Sequence, residues 1–438
     1  MNRAIELTPA SGKLLLVAAC AAVLLLQGCA TAKQAQEKPS SYPLYPESRL
    51  ERNTFPIVGG SDVIGRLAFV RVEEGDTLPD IARHFSLGVS QISAANPGVD
   101  VWVPQDGERV MLPLRFVLPD APRRGIVINL ASMRLFQYRK NGKSLVVTTY
   151  PVGVGTSERP TPTGQMHVAR KVVRPTWYVP ASIAGDYRKK GDPLPETVPP
   201  GPDNPLGEHA LYLSKPTYLI HGTNKPASIG LEATNGCLRL YPEDAKRLFE
   251  STPVNTPVCI VNQPYLVGMR NGIVYLEVHA PPEAPDTAEL EKARVKLRKL
   301  EKKSGRALDW KRVEQALAEA RGIPVPIFEF LPDRWVEPTV EVEHPVALYG
   351  KPKVPELKLK AWYVWAADLD DETEAKRMAA IINHQGPPIP ARVLRKGRGF
   401  RVVTGPFEDA GEARKAVRRL KFDLEIDGAV IGPDGEGS

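Results

Sequence analysis

Cys237 and His221 lie in one short stretch, His221-Gly222-Thr223 through Thr234-Asn235-Gly236-Cys237-Leu238-Arg239-Leu240. Those residue types suit acyl transfer. A free thiol has a pKa of about 8.5, so little of it is thiolate at neutral pH. A neighbouring imidazole can take the thiol proton, and turn amides can hold the oxyanion that forms when sulfur attacks a carbonyl. Asn235-Gly236-Cys237 suits such a turn, because Gly236 accepts backbone angles other residues avoid and lets a substrate approach. The competing reading makes Cys237 half of a disulfide with Cys259. That partner sits in Thr256-Pro257-Val258-Cys259-Ile260-Val261, an apolar run expected to be a buried strand in which cysteine packs as a small hydrophobe.

Composition narrows the field. The chain has 438 residues, a formal charge of +7, 43 prolines and four cysteines, Cys20, Cys29, Cys237 and Cys259. That length suggests two to four domains, and the prolines suggest stiff linkers between them. A basic balance fits nucleic acid, anionic membranes or wall polymers, but no nucleic-acid motif accompanies it, so that partner is set aside. Two cysteines in the body make no disulfide scaffold, and no CxxC or Cys/His cluster suggests a metal; no cofactor is expected.

The stretch around Cys237 resembles the signature of the YkuD-type L,D-transpeptidases. His221-Gly222, Thr234, Gly236-Cys237, Leu238 and Arg239 carry the resemblance, with Asn235 where that family usually has a second histidine. Upstream, Thr161-Pro162-Thr163-Gly164 and Asn204-Pro205-Leu206-Gly207 are also family-like. The resemblance implies an enzyme of peptidoglycan remodelling. Cys237 would be the nucleophile, His221 the base, the Gly222 carbonyl its orienter, and the amides of Asn235, Gly236 and Cys237 the oxyanion hole. Arg239 would steady the turn or meet a substrate carboxylate, and Thr234, Trp177 and Tyr178 would contact substrate. The scissile bond would join meso-diaminopimelate to a terminal D-alanine. An amine acceptor would then yield a 3-3 crosslink or a protein joined to the wall.

The elements that must position this site occupy 124–264. Gly125-Ile126-Val127-Ile128-Asn129-Leu130 and Met133-Arg134-Leu135-Phe136-Gln137-Tyr138 read as a hairpin, followed by a strand over 144–153. Many short strands between Gly/Pro turns suggest a mainly-β sandwich with the site on loops at one end. The Pro-rich excursion 181–204 reads as a lid over the peptide groove.

Around it the chain is read as multidomain. Residues 1–28 resemble a lipoprotein signal peptide: Arg3 and Lys13 precede a short apolar run, and Leu26-Gln27-Gly28-Cys29 resembles a lipobox. Cys29 would be lipidated, and Ala30 after it resembles outer-membrane sorting facing the periplasm. A polar tether spans 29–65. The next unit, 66–114, resembles a small α+β LysM module that holds glycan strands, from Gly75-Asp76-Thr77 through Asn96-Pro97. After the catalytic domain come a strand and charged helices over 265–322, then a Pro-rich linker over 323–356. Residues 357–434 have β-α-β-β-α-β order, ferredoxin-like, and resemble a SPOR domain, which binds glycan strands stripped of stem peptides. The expected partners are therefore peptidoglycan stem peptides, glycan strands and, through the anchor, a membrane. Two rivals remain at this level, a hydrolase on the same scaffold and a non-catalytic wall-binding lipoprotein.

Overall fold

The computed structural model describes residues 44–279, 286–328 and 339–434. The expected leader, Cys29 and the first part of the tether lie outside the described residues. The tether also ends earlier than expected, because Thr54–Ile57 pairs with Ser144–Pro151 as an edge strand. Phe55 draws it in, with a side chain buried in the core.

Among the described residues the catalytic segment is a nine-stranded sheet. In spatial order its strands are Thr54–Ile57, Ser144–Pro151, Arg134–Asn141, Gly125–Asn129, Pro257–Val261, Gly164–Val173, His209–Leu213, Leu219–His221 and Leu238–Arg239. The long Gly164–Val173 strand joins the two halves, pairing with Pro257–Val261 at its start and His209–Leu213 at its end. Ile126, Ile128, Leu135 and Tyr150 from one half share a core with Leu211, Leu213, Ile220 and Leu238 from the other. The sheet thus folds over itself, as the expected sandwich requires.

Strand alternation sends the odd-facing residues elsewhere. Val127, Phe136, Tyr138 and Val147 point out of the sandwich into a second core. That core is completed by a β-α-α-β module: strands Val63–Arg71 and Arg109–Val117, helices α1 (Leu78–His84) and α2 (Val89–Ala95). Thr77 caps α1 by accepting from the Asp80 amide. Asn96 ties the second helix to the second strand, its Nδ2 donating to the carbonyls of Ile92 and Met111 and its Oδ1 accepting from Met111 N at 2.7 Å.

The seam between module and sheet holds a guanidinium. Arg134 is fully buried, with Nη2 donating to Ser86 O and Gln91 Oε1, both at 2.9 Å, and Nη1 to Thr149. Its carbon lies 4.0 Å from the centre of the Phe116 ring. Burial pushes its pKa down to about 9, which still leaves it charged at neutral pH.

Two later segments differ from expectation. Within 265–322, where one strand was expected, Tyr265–Arg270 and Ile273–Val278 form an antiparallel pair. With α5 (Thr287–Ser304) and α6 (Trp310–Glu319), named after α3 (Ala181–Lys189) and α4 (Pro242–Ser251), it has its own core. The 323–356 segment is more than linker: Val325-Pro326 pairs with Leu276 and Tyr275, and Val340–Val342 runs parallel to Ala68–Val70. Val342 is buried there, and β-branched residues suit such an edge. The C-terminal β-α-β-β-α-β module has strand order 391–396, 399–407, 362–369, 429–431, with α7 (Glu372–Asn383) and α8 (Ala410–Leu424) packed on its sheet. It touches the first module through Arg377–Asp100 at 2.5 Å and His384–Asp80 at 3.1 Å.

Replacing Arg134 with Met should strand the Thr149 hydroxyl and the Ser86 carbonyl in the seam, while Gln91 keeps its bonds to Gly88 N and Ser132 O. Each unsatisfied buried group costs about 1–3 kcal/mol, so urea unfolding should show a loss of about 3 kcal/mol or more. A loss under about 1 kcal/mol would remove Arg134 from its structural role.

Candidate active site

One pairing sets the geometry. Leu219–His221 runs parallel to Leu238–Arg239, with Ile220 opposite Leu238 and His221 opposite Arg239. Ile220 and Leu238 bury inward. Successive side chains alternate, so His221, Arg239 and Cys237, which immediately precedes its strand, turn to the other face. There they line one cleft of about 790 Å³.

His221 is buried, and its Nδ1–H donates to Gly222 O at 2.6 Å. A carbonyl can only accept, so this bond leaves Nε2 as the basic nitrogen. Burial, and next the Arg239 charge, push its pKa down to about 3. Cys237 is a half-buried free thiol, 3.5 Å from Thr217 O. Burial pushes its pKa up, with the Leu219 backbone and Arg239 pulling the other way. Both groups therefore rest uncharged. Cys259 is also free and lies in the core under the β-α-α-β module, where Gln165 Nε2 donates to its sulfur at 2.9 Å. The two cysteines do not form a bridge.

Gly236 sits at φ +95°, and a Cβ there would come within 2.9 Å of the Tyr218 ring. Only glycine fits both conditions. Thr234, expected to contact substrate, lines the cleft and also closes the turn: its hydroxyl donates to Cys237 O at 2.6 Å and accepts from Gly236 N at 3.1 Å. That bond takes up one of the three amides expected in the oxyanion hole. Arg239 Nη1 donates to Ser228 Oγ at 3.4 Å, while its buried Nε has no hydrogen-bond partner. Burial lowers its pKa.

Trp177 and Tyr178 also line the cleft, on a short strand paired with Thr197-Val198. Helix α3 in the 181–204 excursion adds Ser182 and Ile183 to the cleft wall. The excursion's base is pinned by fully buried Asn204, whose Nδ2 donates to the carbonyls of Pro175, Val198 and Pro199. Arg159, which sequence reasoning passed over, links this excursion to the turn. One end donates to Asn235 Oδ1 and the other pairs with Asp186 of α3 at 2.7 Å. Its only sequence signal is its place just before Pro160-Thr161-Pro162-Thr163-Gly164. His209 packs edge-on against Phe249 at 5.0 Å.

Comparison with known proteins follows the same lines. Residues 123–260 match the YkuD family model, an L,D-transpeptidase catalytic domain, and residues 358–432 match the SPOR domain. The chain is 41% identical to the probable L,D-transpeptidase YbiS of Escherichia coli K12 over 52% of its length and 75% of YbiS. It is 37% identical to the probable L,D-transpeptidase ErfK/SrfK of the same organism, over 66% of this chain and 90% of that one. A solved L,D-transpeptidase from Mycobacterium smegmatis aligns over 35% of this chain and 63% of its own, with 17% identity and a TM-score of 0.25, too slight a likeness to carry weight.

An uncharged thiol and an uncharged imidazole sharing one cleft have a kinetic signature. Iodoacetamide alkylation of Cys237 should show no step between pH about 5 and 8, where an ordinary histidine titrates. The rate should climb only above about 8.5, the ordinary thiol value, because burial has raised this one. A plateau of fast alkylation at pH 6 would instead mean a preformed thiolate–imidazolium pair.

Proposed function

The chain belongs to the L,D-transpeptidase family, and on that premise we propose how its own residues act on peptidoglycan. The observation that carries the reading is the pairing of Ile220 with Leu238, which turns His221 and Cys237 into one cleft with Nε2 left as base. The donor is a stem peptide ending in D-alanine after meso-diaminopimelate. As Sγ of Cys237 bonds to the carbonyl carbon, the thiol proton moves to Nε2 of His221. The amides of Cys237 and Asn235 hold the oxyanion, since that of Gly236 is already bonded to Thr234. The C–N bond then breaks, and His221 returns its proton to the leaving D-alanine amine. An acceptor amine attacks the thioester, passing its proton through His221 back to sulfur.

Proton transfer timed with attack suits groups that both rest neutral. The Gly222 carbonyl steadies the ring in the role a third group plays in any such triad. The unpartnered Nε of Arg239 suits a stem carboxylate. The α3 excursion, with Trp177 and Tyr178, closes over the thioester and keeps out water, which favours transfer to an amine over hydrolysis. Asn235, in place of a histidine, moves no proton and ties the turn to that excursion through Arg159.

The same reading extends to the flanking regions. The β-α-α-β module acts as a LysM glycan holder, and the C-terminal SPOR domain binds glycan strands. Cys29 carries the lipid that anchors the chain at the outer membrane, facing the periplasm. Among the described residues no helix is long and apolar enough to cross a membrane.

Muropeptides from sacculi treated with the wild-type chain should gain 3-3 crosslinks or wall-linked protein, and those treated with Cys237→Ala should not. Shortened stems alone would make the chain a hydrolase; no change with either protein would make it a wall-binding lipoprotein. Asn235→Ala should leave carbapenem acylation of Cys237 within about tenfold, since the base is untouched. It should raise the hydrolysed share of product by freeing Arg159 and the excursion, measured as the ratio of tripeptide to crosslinked stems.

A further inference from the structure

The segment carrying Cys237 is gripped on both flanks by a neighbour that holds no part of the reaction. The link between α1 and α2 of the β-α-α-β module bonds to the catalytic domain at Ser86, Leu87 and Val89. Ser86 O accepts from Arg134 Nη2 at 2.9 Å, and Leu87 O from the Tyr241 hydroxyl at 3.1 Å. Val89 N donates to Ile229 O at 3.0 Å. Arg83, on α1, pairs with Glu243 through two bonds of 2.9 Å. Ile229 lies ahead of the nucleophile, Tyr241 and Glu243 just behind it.

Between these bonds the two backbones meet without side chains. A Cβ on Gly88 would stand 2.8 Å from Gly230 Cα, and one on Gly230 would stand 2.6 Å from Gly88 Cα. Contact that close leaves the Ile229-Gly230 segment no slack toward the module. On its other side Gly230 N donates to Val152 O at 3.2 Å, and Val154 N to Leu231 O at 3.0 Å. The segment is held between the module's elbow and the catalytic sheet.

We propose that the Arg83–Gly88 elbow is a positioning element for Cys237, making the β-α-α-β module part of the catalytic apparatus rather than only a wall-binding appendage. This rests on Cys237 being the nucleophile. The elbow sets the depth of the 229–230 and 241–243 flanks, and so the position of the sulfur relative to His221 Nε2. Misplacement by about 1 Å can cost about 10²-fold in rate.

Gly88 is a clean place to test this. Its backbone, at φ −88° and ψ 155°, is open to any residue, so an added side chain meets only Gly230 and its neighbours. Gly88→Ala and then Gly88→Val should lower kcat for stem transfer in graded steps, about tenfold and more, with KM and binding to sacculi unchanged. Hydrogen exchange should quicken over 229–240. A folded Gly88→Val protein with wild-type kcat and wild-type exchange overturns the proposal, as does a kcat loss that merely tracks a fall in Tm. If both variants fail to fold, Tyr241→Phe takes their place: it removes the bond to Leu87 O and should cost several-fold in kcat, whereas an unchanged kcat overturns the proposal. If the wild-type chain is not acylated by a carbapenem, the cysteine reading has failed. The elbow is then judged on exchange over 229–240 alone, and unchanged exchange overturns it.

Discussion

Ile220 and Leu238 pair across two short parallel strands and bury their side chains together in the sandwich core. Because side chains alternate along a strand, this single register sends His221, Arg239 and Cys237 to the opposite face. A slip of one residue would bury the imidazole in the apolar core and put Ile220 in the cleft. The chemistry is therefore set by ordinary hydrophobic packing one residue away from it. Gly236 and Thr234 then shape the approach to the second strand, and the Gly222 carbonyl holds the ring in one tautomer.

Burial governs the acid–base character of the site. It lowers His221 and raises Cys237, so the pair rests without charge in the absence of substrate. Arg239 pulls the two in a common direction, favouring the thiolate and disfavouring the imidazolium. The same principle operates in the seam beneath, where Arg134 stays cationic only because two side chains and a carbonyl replace its water. Burial serves different ends in site and seam: one keeps protons ready to move, the other keeps module and sheet in fixed register.

Much of this was readable from the residues. Cys237, His221 and the turn were visible because they fall within one short stretch whose order and spacing are unusual. The hairpin of Gly125–Asn129 with Arg134–Asn141 was visible from its apolar residues. What those residues also encode was not drawn from them: Ile126 and Ile128 enter one core and Val127 another, so the strand is covered on both faces. A continuous apolar run carries that information, but it does not say what lies on the second face. Arg159 escaped notice because a loop arginine has no pattern, and its meaning comes from Asp186 and Asn235, both distant in the chain. Thr234 looked like a substrate contact by position, yet a threonine two residues before a glycine turn is equally a turn-closing group. The 323–356 segment misled through its prolines, which hid two short strands.

Those strands bear on how the chain matures. Val340–Val342 adds an edge to the sheet begun by Ala68–Val70, and Lys351 reaches back to Asp76, 275 residues earlier. A polypeptide made from its N terminus must present the β-α-α-β module, the nine-stranded sheet and the helical hairpin before that edge arrives. The first body to appear is thus among the last to be finished. Such distant pairings slow folding and prolong the exposure of an open sheet edge. A chain cut short before residue 340 would leave Ala68–Val70 as an open edge of a two-stranded sheet, a surface prone to self-association.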